Sequence, residues 1–162
     1  MDGRMLEDVA AISRRLRSAA GNPALPVALR GSSMGGYVAI LAAPIVNASA
    51  VVAICPAGAE ALRRGLAAGS LRFDADVAAV DAFLARHELE AAVQSLAVPL
   101  LLLHAEGDEQ VPAQHSRELA RRFADRESRL IVVPGGHHRW VQHDEELQAV
   151  SVRFIQRALG GA

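Results

Sequence analysis

The chain has 162 residues, 51% of them apolar and 22% charged, which sets one domain with enough core to fold unaided. Its 17 basic side chains, all arginine, balance 18 acidic ones to a formal net charge of −1, leaving no charge excess to hold nucleic acid or an anionic membrane. The single cysteine, Cys55, allows no internal disulfide. With an N-terminus that carries no apolar signal segment, this points to a reducing, cytoplasmic setting.

Met5, Leu6, Val9, Ile12 and Leu16 recur at helical spacing and predict a first helix, stopped at Gly21-Asn22-Pro23. The run from Pro26 to Arg30 reads as a buried strand, and Met34 to Ile45 as a helix of small and apolar residues broken near Pro44. Ser49 to Cys55 reads as a second strand ended by Pro56. Residues 57–97, Ala-rich with charges at helical intervals, predict two or three helices. Val98 to His104 is a third strand, Pro112 to Phe123 a helix opened by proline, and Arg129 to Val133 a fourth strand. Asp144 to Leu159 closes the chain as a helix, with Leu147, Val150, Phe154 and Ile155 on one face. Strands that are apolar throughout and alternate with helices imply an α/β protein with a mainly parallel sheet and flanking helices, a single domain over 1–162.

Where the first strand turns into the second helix stands Gly31-Ser32-Ser33-Met34-Gly35. A Gly-x-Ser-x-Gly pattern arises by chance in about 6% of chains of this composition, so the placement carries the weight. A sharp strand-to-helix turn lifts the Ser33 hydroxyl clear of the sheet, at a helix N-terminus whose dipole favours developing negative charge. Both flanking glycines are expected to be needed there, because side chains would collide with the neighbouring strand and helix. A serine hydroxyl becomes a good nucleophile only when a base takes its proton, and the base must be oriented by an acid. The sequence supplies both, each just beyond a strand. Asp108 lies in His104-Ala-Glu-Gly-Asp-Glu-Gln-Val-Pro112, and the pair His137-His138 in Val133-Pro-Gly-Gly-His-His-Arg139. Functional groups of open α/β sheets gather at these carboxyl ends.

Together these segments resemble the second half of an α/β-hydrolase of the serine-esterase kind, with the N-terminal strands of that fold missing. The resemblance implies Ser33 as nucleophile and Asp108 as triad acid, with Glu106 and Glu109 as weaker candidates. It implies His138 as base, with His137 the alternative, and the Met34 backbone N–H as oxyanion donor. It implies a small carboxylic ester as substrate and neither cofactor nor metal; a peptidase or a thioesterase would use the same groups. No His-Gly segment precedes Ser33 to supply a second oxyanion donor, a loss worth about 10²–10³ in rate. The rival expectation is therefore a weakly active or inactive hydrolase-like domain that acts in binding or oligomerisation. The strand around Val27 to Leu29 lacks the upstream neighbour that the family's sheet has, which predicts a homodimer or higher oligomer through that apolar edge or the adjacent sheet face.

The remaining candidates carry less. His137, His138, His143 and Asp144 match no metal-ligand spacing. His104, ending an apolar strand, is expected to be a structural hydrogen-bonding residue, and His87 and His115 to be solvated on helix surfaces. Cys55 reads as a small buried residue with no base beside it.

Overall fold

Between them the second and third strands, β2 (Ala50–Ile54) and β3 (Leu100–Ala105), carry one polar side chain, His104, and both are buried along their whole length. Such strands are stable only with both faces covered. In the computed structural model, which describes residues 4–71 and 76–160, they form the centre of a four-stranded sheet with β1 (Ala28–Ser32) and β4 (Arg129–Val133). The order is β1-β2-β3-β4 and every pairing is parallel, with Leu29 opposite Val51, Val51 opposite Leu100 and Leu102 opposite Leu130. All four carboxyl ends therefore meet at one edge of the sheet. Positions 1–3, which enter the N-terminal reading, and 72–75, which fall in the Ala-rich stretch, lie outside the described residues, as do 161–162.

The two-residue alternation of each strand divides the core in two. On one face Leu29, Val51, Ala53, Leu100, Leu102 and Leu130 meet a helical layer built from α1 (Arg4–Ala19), α2 (Met34–Ala42), α3 (Ala59–Ala67), α4 (Val77–Leu84), α5 (Leu89–Ser95) and α6 (Ala113–Ala120). On the other, Val52, Ile54, Leu101, Leu103, Ile131 and Val133 meet Leu147, Val150, Phe154 and Ile155 of α7 (Glu145–Gly160). Among the described residues no helix is long and apolar enough to cross a membrane.

Two expectations need correction. In α1 the residues facing the core are Met5, Leu6, Val9, Ala10 and Ser13, whereas Ile12 and Leu16 are 59% and 52% exposed. The helix packs on α2, and small side chains at Ala10 and Ser13 rotate its contact stripe away from the apolar periodicity. The first strand, too, is less apolar than its neighbours. β1 pairs only with β2, so its other edge is free among the described residues, but Arg30 stands exposed at its centre. A charge at that position discourages strand addition. Among the described residues, none of the large exposed apolar side chains lies in a strand.

The described residues of the stretch over 57–97 fold as three helices, and Tyr37 ties them to the layer beneath. Fully buried on α2, Tyr37 donates its hydroxyl to the His87 carbonyl at 2.6 Å and meets Phe83 edge-on, ring centres 6.4 Å apart. His87 is not solvated as expected: it stacks on Phe83 at 4.2 Å, its Nδ1 2.7 Å from the Phe83 carbonyl. The Asp76 carboxylate caps α4 by accepting from the N–H groups of Ala78 and Ala79. Replacing Tyr37 by Phe leaves the His87 carbonyl without its donor, an expected loss of about 1 kcal/mol of folding stability, read as a lower urea midpoint with an unchanged slope.

Candidate active site

Ser33 links β1 to α2 with φ 53° and ψ −120°, a left-handed backbone that costs a non-glycine residue about 1–3 kcal/mol. The turn is held by its own backbone. Ser33 donates its N–H to the Ile54 carbonyl at 2.8 Å, and its carbonyl accepts from Gly36, Tyr37 and Ala57. A Cβ on Gly31 would stand 2.1 Å from the Gly35 carbonyl oxygen, so only glycine fits. At Gly35, by contrast, a Cβ would meet nothing within 4 Å, because this residue faces out at the helix start. The second tight position is Gly36, whose Cβ would lie 3.3 Å from the Gly31 carbonyl oxygen and from Pro56. The N–H of Met34, first residue of α2, has no intrahelical acceptor and sits next to Ser33.

Beyond β3 and β4 the chain turns in two loops that touch. Gly107 donates its N–H to the Gly135 carbonyl at 3.0 Å, and a Cβ there would come within 2.5 Å of the Gly136 oxygen. Gly135 and Gly136 are both left-handed, φ 64° and 72°, and this reversal brings His138 over Asp108. His138 donates Nδ1–H to Asp108 Oδ2 at 2.6 Å, while Oδ1 accepts from the N–H groups of Gln110 and Val111, each at 2.9 Å. Burial alone would raise the Asp108 pKa. The Val111 N–H and the His138 ring outweigh it and hold the carboxyl below its ordinary range. In a neutral ring whose Nδ1 donates to the carboxylate, the lone pair is on Nε2. Among the described residues the Ser33 hydroxyl makes no hydrogen bond.

A second histidine supports the acid loop. His104 is fully buried, its Nδ1 accepting from Ser116 Oγ at 2.7 Å and its Nε2–H donating to the Val111 carbonyl at 2.8 Å, 3.4 Å from Asp108 Oδ2. Burial lowers its pKa and keeps it neutral. It is the structural residue expected. His115 is not on the surface: it is half-buried against Gly58, its Nε2 has no hydrogen-bond partner among the described residues, and burial lowers its pKa as well.

The structure thus brings Asp108 and His138 together and leaves the alternatives outside. His137 and Glu109 are exposed, and Glu106 pairs with Arg117 in solvent. His143 is exposed beside Gln142, and Asp144 accepts from the Leu147 N–H at the start of α7. The residue missed is Cys55. Fully buried at the end of β2 with φ 42°, it lies within 4.8 Å of both Asp108 and His138. Burial, with the Asp108 carboxylate beside it, pushes its thiol up to about 12. No local pattern announces this; the pairing of β2 with β3, in which Cys55 donates its N–H to Leu103, creates it.

The fold has relatives. The family model described as "Serine aminopeptidase, S33" (a family label, not a residue of this chain) matches residues 72–146, which carry the acid and histidine segments. Among curated proteins none matches the sequence. Solved structures do. A predicted CIB-like hydrolase from Thermoplasma acidophilum is 21% identical with a TM-score of 0.59, covering 94% of this chain and 59% of its own, so the chain spans less than two thirds of that relative. Est1E from Butyrivibrio proteoclasticus is 20% identical over 96% of this chain and 68% of its own, TM-score 0.66. A structure reported with LipS and LipT, two metagenome-derived lipolytic enzymes, is 17% identical over 94% and 72%, TM-score 0.70. The chain has the fold of the α/β-hydrolases.

Two measurements probe this construction. Gly31→Ala is expected to cost at least about 3 kcal/mol, and Gly35→Ala to change stability by less than about 1 kcal/mol, compared by urea unfolding. For pH, His104 and His115 have folded pKa values below the ordinary value of about 6.5, so the unfolded chain binds more protons as pH falls through it. Thermal midpoints should therefore drop between about pH 7 and 5, before Asp108 adds its own loss below about pH 4, and His115→Gln should flatten the first part of the curve.

Proposed function

We propose that this protein is a serine hydrolase acting on small carboxylic esters. The observation that carries the reading is the buried 2.6 Å bond from His138 Nδ1–H to Asp108, at the same sheet edge as a serine on a left-handed strand-to-helix turn. Ser33 attacks the ester carbonyl while His138 Nε2 takes its proton. Asp108 keeps the ring in that tautomer and stabilises the imidazolium, and the Met34 N–H donates to the developing oxyanion. His138 then returns the proton to the leaving alcohol, and water repeats the sequence on the acyl-enzyme. The ester class is supported by relatives named as lipolytic enzymes and, in Paleococcus ferrophilus, as a monoacylglycerol lipase. An aminopeptidase reading is favoured by the description of the matching family and uses the same groups.

Short p-nitrophenyl esters should be hydrolysed above background and amino-acid p-nitroanilides more slowly; the opposite ranking selects the peptidase. Ser33→Ala should abolish turnover and labelling by a fluorophosphonate probe. His138→Ala should lower kcat by about 10³ or more, and His137→Ala by only a few-fold. Full activity in Ser33→Ala overturns the reading, and a larger loss at position 137 moves the base there.

An assembly role is favoured by the apolar groove of about 360 Å³ beside β1, lined by Met5, Val9, Leu29, Met34 and Val38. For that role we expect a homodimer in light scattering at micromolar concentration; a monomer that binds no exposed-surface dye removes it.

A further inference from the structure

Three side chains able to hold a metal converge where the strands end. Cys55 Sγ, a carboxylate oxygen of Asp108 and a ring nitrogen of His138 lie within 4.8 Å of one another, and all three residues are buried. We propose that this cluster is a binding site for a soft divalent cation, zinc or cadmium, and that the cation silences the serine machinery by taking its base. Binding stands on the cluster alone; the silencing rests on the hydrolase reading.

Thiolate, imidazole and carboxylate are the donor set that zinc and cadmium favour over harder ions. A tetrahedral zinc with bonds of about 2.0–2.3 Å needs ligand atoms about 3.3–3.6 Å apart. Bringing three atoms from within 4.8 Å to that spacing takes side-chain rotation, and the 2.6 Å contact between His138 and Asp108 must open by about 1 Å. The carboxylate is already fixed for the task. Gln110 and Val111 anchor Oδ1 through their N–H groups, and His104, itself held by Ser116, stands 3.4 Å from Oδ2. Such surrounding hydrogen bonds are what orient metal ligands.

The cation competes directly with a proton. Nδ1 now carries the hydrogen given to Asp108, whereas a metal needs the Nδ1 lone pair. On binding, the imidazole proton passes to Nε2, the thiol releases one proton to solvent, and metal bonds form to Sγ, Nδ1 and the carboxylate. The divalent charge is then balanced by thiolate and carboxylate. With its Nε2 protonated and Nδ1 on the metal, His138 cannot accept the Ser33 proton. Metal and general base are two exclusive states of one ring.

Because Cys55 is the chain's one cysteine, the ultraviolet charge-transfer absorption of a cadmium–thiolate bond has a single possible source. Titrating the folded protein with cadmium chloride should give a band that saturates at about one ion per chain and is absent from Cys55→Ser. His138→Ala keeps the thiol and should weaken cadmium binding at least about tenfold. No band in the native protein overturns the proposal, and so does unchanged affinity in His138→Ala, which would place the metal on the thiol alone. In a p-nitrophenyl acetate assay, zinc chloride should inhibit the native protein, and Cys55→Ser should need at least about tenfold more zinc. Equal zinc sensitivity of the two overturns the silencing. A cadmium band in a protein without esterase activity supports the site while sinking the hydrolase reading; activity without a band does the reverse.

Discussion

Backbone meets backbone at the carboxyl end of this sheet, and the site depends on how closely it can do so. At two places the approach is shorter than any side chain allows: Gly31 against the Gly35 carbonyl, and Gly107 against Gly136. The first contact closes the turn that carries Ser33. The second lays the loop after β3 against the loop after β4, so that His138 reaches Asp108. Each contact aims a polar side chain from a loop that would otherwise have no reason to point there. Widening either one disperses groups that the parallel sheet has merely brought to a common edge.

Around those contacts the local conformations are unfavourable, and burial elsewhere offsets them. Ser33 and Cys55 both hold left-handed backbones without being glycine, each at the end of a strand whose neighbours anchor it by hydrogen bonds. β2 and β3, buried along their length between two apolar layers, supply the rigidity that keeps these residues in place. The polar atoms carried into this region are nearly all paired: Asp108 accepts from two backbone N–H groups and from His138, and His104 uses both of its nitrogens. A carboxylate so satisfied stays ionised despite burial, which is the condition for orienting an imidazole.

The same crowding gives His138 more than one neighbour. Cys55 lies on the strand between those that lead to Ser33 and to Asp108, and the order β1-β2-β3 places it beside the acid. A thiol there is chemically quiet while it stays protonated. Its position makes the identity of the residue at the end of β2 a determinant of what else can occupy the site.

Read alone, the sequence determined the alternation of strands and helices, the strand-to-helix turn at Ser33 and the loops carrying Asp108 and the two histidines. These are local signals: apolar runs, glycine and proline punctuation, and polar residues just past a strand. The tertiary structure decided what depends on distance. It chose His138 over His137 as the partner of Asp108, because two left-handed glycines turn one ring inward and leave the other in solvent. It moved the second tight contact from Gly35 to Gly36, exposed Ile12 and Leu16, half-buried His115 and put an exposed Arg30 at the centre of β1. It also set Cys55 against Asp108 and His138, across 53 and 83 positions of chain. Periodicity reports which face of an element is apolar; only packing decides which neighbour that face meets and which side chains from distant segments share a volume.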